Sequence, residues 1–112
     1  MDAFQALADP TRREIVALLA KGERTASEIF VRFDIADPTV SRHLKVLRES
    51  GLIAYRQEAQ SRIYRFEPAM LDETRQWMQA QIDTWRSRFD RLGAHLDRMK
   101  ETEARRETRR KK

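Results

Sequence analysis

Cysteine is absent from this 112-residue chain, and glycine and histidine are scarce, with three and two residues respectively. Without cysteine the chain can form neither a disulfide nor a thiolate metal site, so nothing indicates an oxidising compartment. No stretch approaches the roughly 20 apolar residues that a membrane-spanning helix needs, and the amino terminus lacks a secretory signal pattern. These absences exclude the disulfide-rich and membrane classes, and we expect a cytoplasmic protein.

The same scarcity argues against catalysis and metal binding. The few glycines provide no phosphate-binding loop, and neither a nucleophile motif nor a cluster of histidines is present. We therefore expect no enzyme activity, no cofactor and no metal. A symmetric metal site between two subunits, built from Asp83 and His95, stays open as an alternative.

Charge, by contrast, is abundant and unevenly placed. The formal net charge is +5, and residues 42–66 carry six basic and two acidic side chains. Residues 100–112 carry seven basic and three acidic side chains, whereas the rest of the chain is slightly acidic. Two separate basic zones indicate a polyanionic partner, of which nucleic acid is the natural example.

Helix boundaries are clearly marked. The triplet D-P-T at Asp9 and again at Asp37 places a carboxylate before a proline in the first helical turn. The tetrapeptide T-A-S-E at Thr25 is a capping box, and Gly22 and Gly51 are suited to end helices. These signals predict helices at about 2–8, 10–21, 26–34 and 38–50.

Apolar residues recur at helical spacing and predict one small core. They are Ile15, Leu18, Leu19, Ala26, Ile29, Phe30, Phe33, Val40, Leu44 and Leu47. Residues 52–57 and 62–66 are rich in Ile, Tyr and Phe, which predicts a β-hairpin whose four-residue loop is Glu58–Ser61.

The helix at 38–50 and this hairpin together suit DNA. The helix carries Arg42, Lys45 and Arg48, and the hairpin carries Arg56, Arg62 and Arg65. A helix fits the major groove, and a ribbon beside it can reach the neighbouring backbone or minor groove. With the apolar face of the helix turned to the core, positions 39, 42 and 45 point outward.

A long helix is predicted at 69–99. Its apolar residues alternate spacings of four and three and form a seam of Met78, Ile82, Trp85, Phe89, Leu92, Leu96 and Met99. At roughly 45 Å the helix is longer than so small a domain can cover, so we expect the seam to meet its copy in a second subunit. The bulk of Trp85 and Phe89 favours a crossed or antiparallel pair. Packing within the monomer is the alternative.

These elements predict a mostly α protein with a small two-stranded β-wing, that is, a winged helix-turn-helix with a long C-terminal dimerisation helix. Residues 1–99 would form one DNA-binding and dimerisation domain. Residues 100–112 would be a basic tail, either disordered or a fraying helix end. The tail would serve as a solubilising end or attract phosphates without specificity.

Two motifs give the chain a resemblance to a known family. The sequence F-Q-A-L-A-D-P-T-R-R-E-I-V-A-L-L at 4–19 and V-S-R-H-L-K-V-L-R-E-S-G-L-I at 40–53, with a wing ending in Y-R-F, resembles the ArsR-type family of bacterial winged-helix repressors. The C-terminal helix with Trp77, Trp85 and Leu92 looks like a subgroup without the family's metal ligands. The resemblance implies a homodimeric repressor, built through its first and last helices, that binds an inverted repeat and often controls its own operon.

The resemblance also implies site residues. The implied DNA contacts are Thr39, Ser41, Arg42, His43, Lys45 and Arg62, with His43 directed toward the DNA backbone or helix packing. The predicted dimer interface comprises Phe4, Leu71, Met78, Ile82, Trp85, Phe89, Leu92 and Leu96. Asp37 stands where the family commonly has a glutamine. It would either cap the helix, the role that Pro38 favours, or accept a hydrogen bond from a cytosine amino group.

We therefore predict a sequence-specific transcriptional regulator whose partners are double-stranded DNA and a second copy of itself. A nonspecific nucleic-acid-binding protein of the nucleoid type and a metal-responsive repressor with an intersubunit site are the alternatives. Trp77, Met78, Trp85 and Met99 would line a pocket for an apolar effector or simply pack in an interface. The sequence identifies no effector, operator or regulated gene.

Overall fold

The computed structural model describes residues 1–110. In this part of the chain five helices and three strands follow one another in an order that confirms the predicted fold class. The elements are α1 Ala3–Leu7, α2 Pro10–Ala20, β1 Arg24–Thr25, α3 Ala26–Arg32, α4 Asp37–Glu49, β2 Ile53–Glu58, β3 Ser61–Phe66 and α5 Pro68–Arg110.

Side-chain caps begin three of the helices. The Asp9 carboxylate accepts from the backbone N–H groups of Thr11 and Arg12 at 2.8 and 3.1 Å, as the D-P-T triplet predicts. The capping box at Thr25 is present with Glu28, and a second one at Asp2 was not predicted. Such caps satisfy N–H groups that have no partner inside the helix, which explains why these starts are encoded locally.

The prediction that Asp37 caps α4 is wrong. Ala36 is the N-cap residue, and it makes no side-chain cap. Its carbonyl accepts from the backbone N–H groups of Thr39 and Val40 at 2.9 and 3.2 Å, so the helix begins one residue earlier than expected. A residue before proline usually avoids helical conformation, but Asp37 belongs to the helix here. Asp37 lies within the first turn, where its charge is still favourable for the helix dipole.

The wing belongs to a three-stranded antiparallel sheet with the order β1-β3-β2. Strand β1 is only two residues long and was not predicted, because so short a segment carries no periodic signal. The predicted four-residue loop is wrong, since Glu58 pairs with Ser61 and leaves a two-residue turn. Ala59 takes the positive φ of 54° that this turn requires, and Gln57 Nε2 donates to its carbonyl at 3.2 Å.

Contacts divide the chain into two units, residues 1–75 and residues from 76 onward. The core of the first unit is small and consists of Ala3, Ala6, Ile15, Val16, Leu19, Ile29, Val40, Leu44, Leu47, Leu52, Ile53 and Tyr64. Of the residues predicted from helical spacing, Leu18, Ala26, Phe30 and Phe33 are only partly buried and pack against this core. Gly51, with φ of 81°, ends α4 as predicted.

Helix α5 begins in the first unit, where Met70 and Leu71 pack against the core and the Thr74 hydroxyl donates to the Met70 carbonyl at 2.9 Å. It then continues to Arg110, into the segment for which disorder or a fraying helix end was expected. The last two residues of that segment, 111 and 112, lie outside the described residues. Within the described chain no helix combines the length and apolar character needed to cross a membrane.

Candidate nucleic-acid interface

Helix α4 separates an apolar face from a polar one, as predicted. Val40, Leu44 and Leu47 are buried, whereas Ser41, Arg42 and Lys45 are exposed. Within the described residues the Arg42 guanidinium has no hydrogen bond or ion pair. Lys45 Nζ lies 4.0 Å from a carboxylate oxygen of Glu49, and since both side chains are more than half exposed this pair is weak. The outer face therefore presents cationic side chains to solvent.

Thr39 and His43 are partly buried at the edges of this face. His43 Nδ1 lies 3.3 Å from Arg12 Nη1, which ties α4 to α2. This contact is one of helix packing, and the direction toward the DNA backbone that was also expected for His43 stays a prediction. Arg12 was not identified from the sequence. The only signal in the sequence was the pair of adjacent arginines, Arg12 and Arg13. Such a pair does not show which of the two side chains contacts another helix.

Two of the three arginines of the wing are paired with carboxylates. Arg56 lies 2.8 Å from Glu23 and 3.5 Å from Glu58, and the hydrogen bond to Glu23 is the main cause that raises its pKa. Arg65 Nε lies 2.8 Å from Glu67. Each of these two arginines thus has a carboxylate within ion-pair distance, although the side chains are 38–63% exposed and solvent screens the pairs.

Arg62 has a different environment. Its guanidinium carbon lies 4.5 Å from the centre of the Tyr55 ring, a cation–π contact, and the pKa of Arg62 is raised first by the Tyr64 hydroxyl. The guanidinium carbon of Arg48 on α4 lies 5.2 Å from the centre of the same Tyr55 ring. The Tyr55 ring thus connects α4 with the wing. No described carboxylate lies within ion-pair distance of Arg62. Sequence reasoning missed Tyr55, although an aromatic residue in a basic hairpin was the available signal.

Asp9 lies beside this interface. Its pKa is lowered, first by the hydrogen bond from the Arg12 backbone and further by the Thr11 N–H and the Arg12 charge, while burial opposes the shift. The carboxylate is therefore held in its charged form at the start of α2, where the helix dipole also favours a negative charge.

The predicted dimer residues fall into two groups. Leu71 packs against the core of its own chain, whereas Phe4 in α1 is 46% exposed. In the second unit the whole seam is exposed, with side chains between 42% and 63% accessible. Trp85 and Phe89 stack on each other with ring centres 5.5 Å apart. This apolar stripe is not covered within the described chain.

The residues suggested for an effector pocket or a metal site do not form one by themselves. Trp77, Met78, Trp85 and Met99 are each at least 44% exposed, so a pocket lined by them would need a second surface to enclose it. Among the residues that the structure describes, no three histidine, aspartate or glutamate side chains are grouped closely enough to hold a metal ion.

Comparison with known proteins agrees with this geometry. Residues 9–55 match the family model for bacterial regulatory proteins of the arsR family. The transcriptional repressor SdpR of Bacillus subtilis is 35% identical over 77 residues, which cover 69% of this chain and 86% of SdpR. The arsenical resistance operon repressor of Escherichia coli is 42% identical over 66 residues, or 58% of this chain and 56% of that protein.

A solved structure gives the same result. The crystal structure of the ArsR family transcriptional regulator RHA00566 superposes with a TM-score of 0.71 at 36% identity and covers 75% of this chain and 87% of that chain. These relatives are regulators, which confirms that the chain is not an enzyme. The chain belongs to the ArsR family of bacterial DNA-binding transcriptional regulators.

Proposed function

We propose that this protein is a homodimeric repressor that binds an inverted-repeat operator, with α4 in the major groove and the wing on the adjoining backbone or minor groove. One observation carries the proposal: Arg42 on α4 and Arg62 on the wing are exposed cations without a carboxylate partner, while Arg56 and Arg65 are paired. These exposed and unpaired cations lie one on α4 and one on the wing, the two elements that we propose contact DNA.

Each side chain of this surface then has a role. A guanidinium such as that of Arg42 can donate two parallel hydrogen bonds to guanine O6 and N7, which reads sequence. Ser41 and Lys45 are suited to phosphates, which fix position without reading sequence. Thr39, partly buried at the start of α4, would contact the backbone where the helix enters the groove.

The proposed homodimer explains why we expect an operator with two-fold symmetry. Large apolar side chains on one helix form a contiguous exposed stripe, and such stripes mark interaction surfaces. A second copy is the partner that the long seam fits best, in a crossed or antiparallel arrangement, with Phe4 of α1 contributing. A two-fold dimer presents two α4 helices and therefore favours an inverted repeat. As a regulator of bacterial DNA it would act in the cytoplasm.

The inducing signal is not carried over from the relatives. The Escherichia coli relative is named for arsenical resistance. The present chain contains no cysteine, so a thiolate site for arsenite or a soft metal cannot form. We therefore propose that any induction uses another signal.

Operator selection tests the proposal. The purified protein is incubated with fragmented genomic DNA that includes its own upstream region, and the bound fragments are sequenced. Affinity for the recovered site is then compared with affinity for a scrambled duplex of the same length and composition. Repression of specific genes requires a ratio of about a thousand or more. Equal affinities would contradict the proposal and favour the nonspecific alternative, in which the exposed Arg105, Arg106 and Arg109 of α5 attract phosphates.

A further inference from the structure

Arg12 of α2 joins two other elements of the first unit. Its Nε donates to the carbonyl of Ala6 at 2.6 Å and its Nη2 to the carbonyl of Gln5 at 3.1 Å, both at the end of α1. Its Nη1 lies 3.3 Å from Nδ1 of His43 on α4. One planar guanidinium therefore binds two carbonyls in the last turn of α1, where the Gln5 carbonyl also accepts from the Ala8 N–H, and a side chain of the reading helix.

The chemistry of the pair determines which proton the imidazole carries. A guanidinium has only donors, so Nδ1 of His43 must be the acceptor. A neutral imidazole whose Nδ1 accepts carries its proton on Nε2. The contact with Arg12 thus selects one tautomer of His43 and opposes rotation of the ring.

We propose that Arg12 is a positioning residue for DNA recognition, which holds His43 as the Nε2–H tautomer and fixes the rotation of α4 relative to α1. The inference rests on the proposed function, in which α4 reads the operator. Paired hydrogen bonds to a base edge are directional, so a small rotation of α4 weakens base reading while phosphate attraction, which is less directional, persists. Since α1 also carries Phe4 of the proposed dimer interface, Arg12 further relates the reading helix to the subunit contact.

Arg13 provides a matched control. It is the next residue of α2, and its Nη1 donates to the Leu7 carbonyl at 2.7 Å, again at the end of α1. Among the described residues it has no hydrogen bond or ion pair with α4. Arg13→Gln therefore removes the same charge and a bond to the same helix end, but keeps the link between α1 and His43.

The experiment compares the parent with Arg12→Gln, Arg13→Gln, His43→Ala and the Arg12→Gln/His43→Ala double variant on operator and scrambled DNA at several salt concentrations. We expect Arg12→Gln to lower operator affinity by roughly three- to thirtyfold, with little change on scrambled DNA or in the salt dependence. Arg13→Gln should bind like the parent. In the His43→Ala background, Arg12→Gln should have little further effect, because its action passes through His43.

Nuclear magnetic resonance of the free protein tests the tautomer without DNA. With ¹⁵N-labelled histidine, the parent should show His43 protonated on Nε2 only, and His95→Gln identifies the other signal. A His43 ring protonated on Nδ1 in the parent, or equal losses of affinity from Arg12→Gln in both backgrounds, would refute the proposal.

Arg12→Lys covers the case in which Arg12→Gln does not fold. It keeps the charge but lacks the planar fork that reaches both partners, so we expect the same loss of operator preference. A folded Arg12→Lys protein with the parental preference would contradict the inference. If the parent itself fails to distinguish operator from scrambled DNA, the proposed function is wrong, whereas the tautomer result stands or falls separately.

Discussion

At the scale of single residues, the arginines of the basic zone differ because of their neighbours. Arg42 and Arg62 have no carboxylate partner among the described residues, whereas Glu23 lies 2.8 Å from Arg56 and Glu67 lies 2.8 Å from Arg65. An arginine already paired has less net charge to offer a phosphate. Equal residue types in one hairpin therefore should not contribute equally to DNA binding.

Alanine substitutions should separate reading from positioning. Arg42→Ala should cost about 1–3 kcal/mol on the operator and much less on scrambled DNA, because a base contact is lost. Arg62→Ala should weaken binding to operator and scrambled DNA alike. It should also reduce the slope of log affinity against log salt concentration by roughly one unit, because one fewer counterion is released. Binding isotherms at several salt concentrations measure both effects.

Arg56→Ala is the control for this pair, because it removes the same charge from the same hairpin. Since Arg56 is paired with Glu23, we expect a smaller change in the salt slope than for Arg62→Ala. If Arg42→Ala and Arg62→Ala both keep the parental affinity and slope, α4 and the wing are not the DNA-binding surface.

At the scale of elements, the two D-P-T triplets show that one local motif can begin a helix in two ways. Asp9 caps α2 through its carboxylate, whereas α4 begins at Ala36 and leaves Asp37 inside the first turn. The two aspartates therefore stabilise their helices by different means. A hydrogen-bonded cap acts in the first case, and attraction to the helix dipole alone acts in the second.

Stability measurements should show this difference. Asp9→Ala should lower the free energy of unfolding by about 1 kcal/mol, because the N–H groups of Thr11 and Arg12 lose their acceptor. Asp37→Ala should lower it by less, because no cap is lost. Urea unfolding followed by circular dichroism, at one protein concentration, measures both. A larger loss for Asp37→Ala would show that the cap assignments are reversed.

The charge of Asp9 should make its contribution depend on pH. Because the pKa of Asp9 is lowered in the folded state, its charge stabilises the fold above the ordinary carboxyl range and loses this effect as pH falls through the lowered value. The parent should thus be more stable than Asp9→Asn at neutral pH, and the difference should shrink below about pH 4. A difference that grows on acidification would have the wrong sign for a lowered pKa.

At the scale of the whole molecule, the exposed seam of α5 is the feature that the first unit does not explain. Replacing Phe89 and Leu92 together by glutamate should yield a monomer and abolish operator binding, because charges would be buried in the proposed dimer interface. Light scattering at micromolar concentration measures the mass. A parent that is monomeric under these conditions would contradict the dimer, and a dimeric variant would place the interface elsewhere.

Operator binding should also be indifferent to zinc, copper, arsenite and chelators. The chain lacks cysteine, and within the described residues no group of three suitable ligands exists. Affinity measured with and without each addition tests this. A tenfold loss on adding stoichiometric zinc, reversed by a chelator, would instead support a site between subunits.

The sequence alone predicted the presence of the helices, the buried face of α4 and the family resemblance. These depend on signals a few residues apart, such as the cap at Asp9 and the spacing of Val40, Leu44 and Leu47. Helix propensity, capping and amphipathic spacing act within one or two turns, and they can therefore be read in order along the chain.

Only the tertiary structure decided which charged side chains of the candidate site have an interaction partner. Arg56 meets Glu23 across 33 positions and Arg12 meets His43 across 31, and no local pattern encodes either pair. The short strand β1 likewise exists only because β3 lies beside it. Such partners come together only when the core packs. For this reason the sequence indicated a basic zone, whereas only the fold shows that Arg56 and Arg65 have carboxylate partners and that Arg42 and Arg62 have none among the described residues.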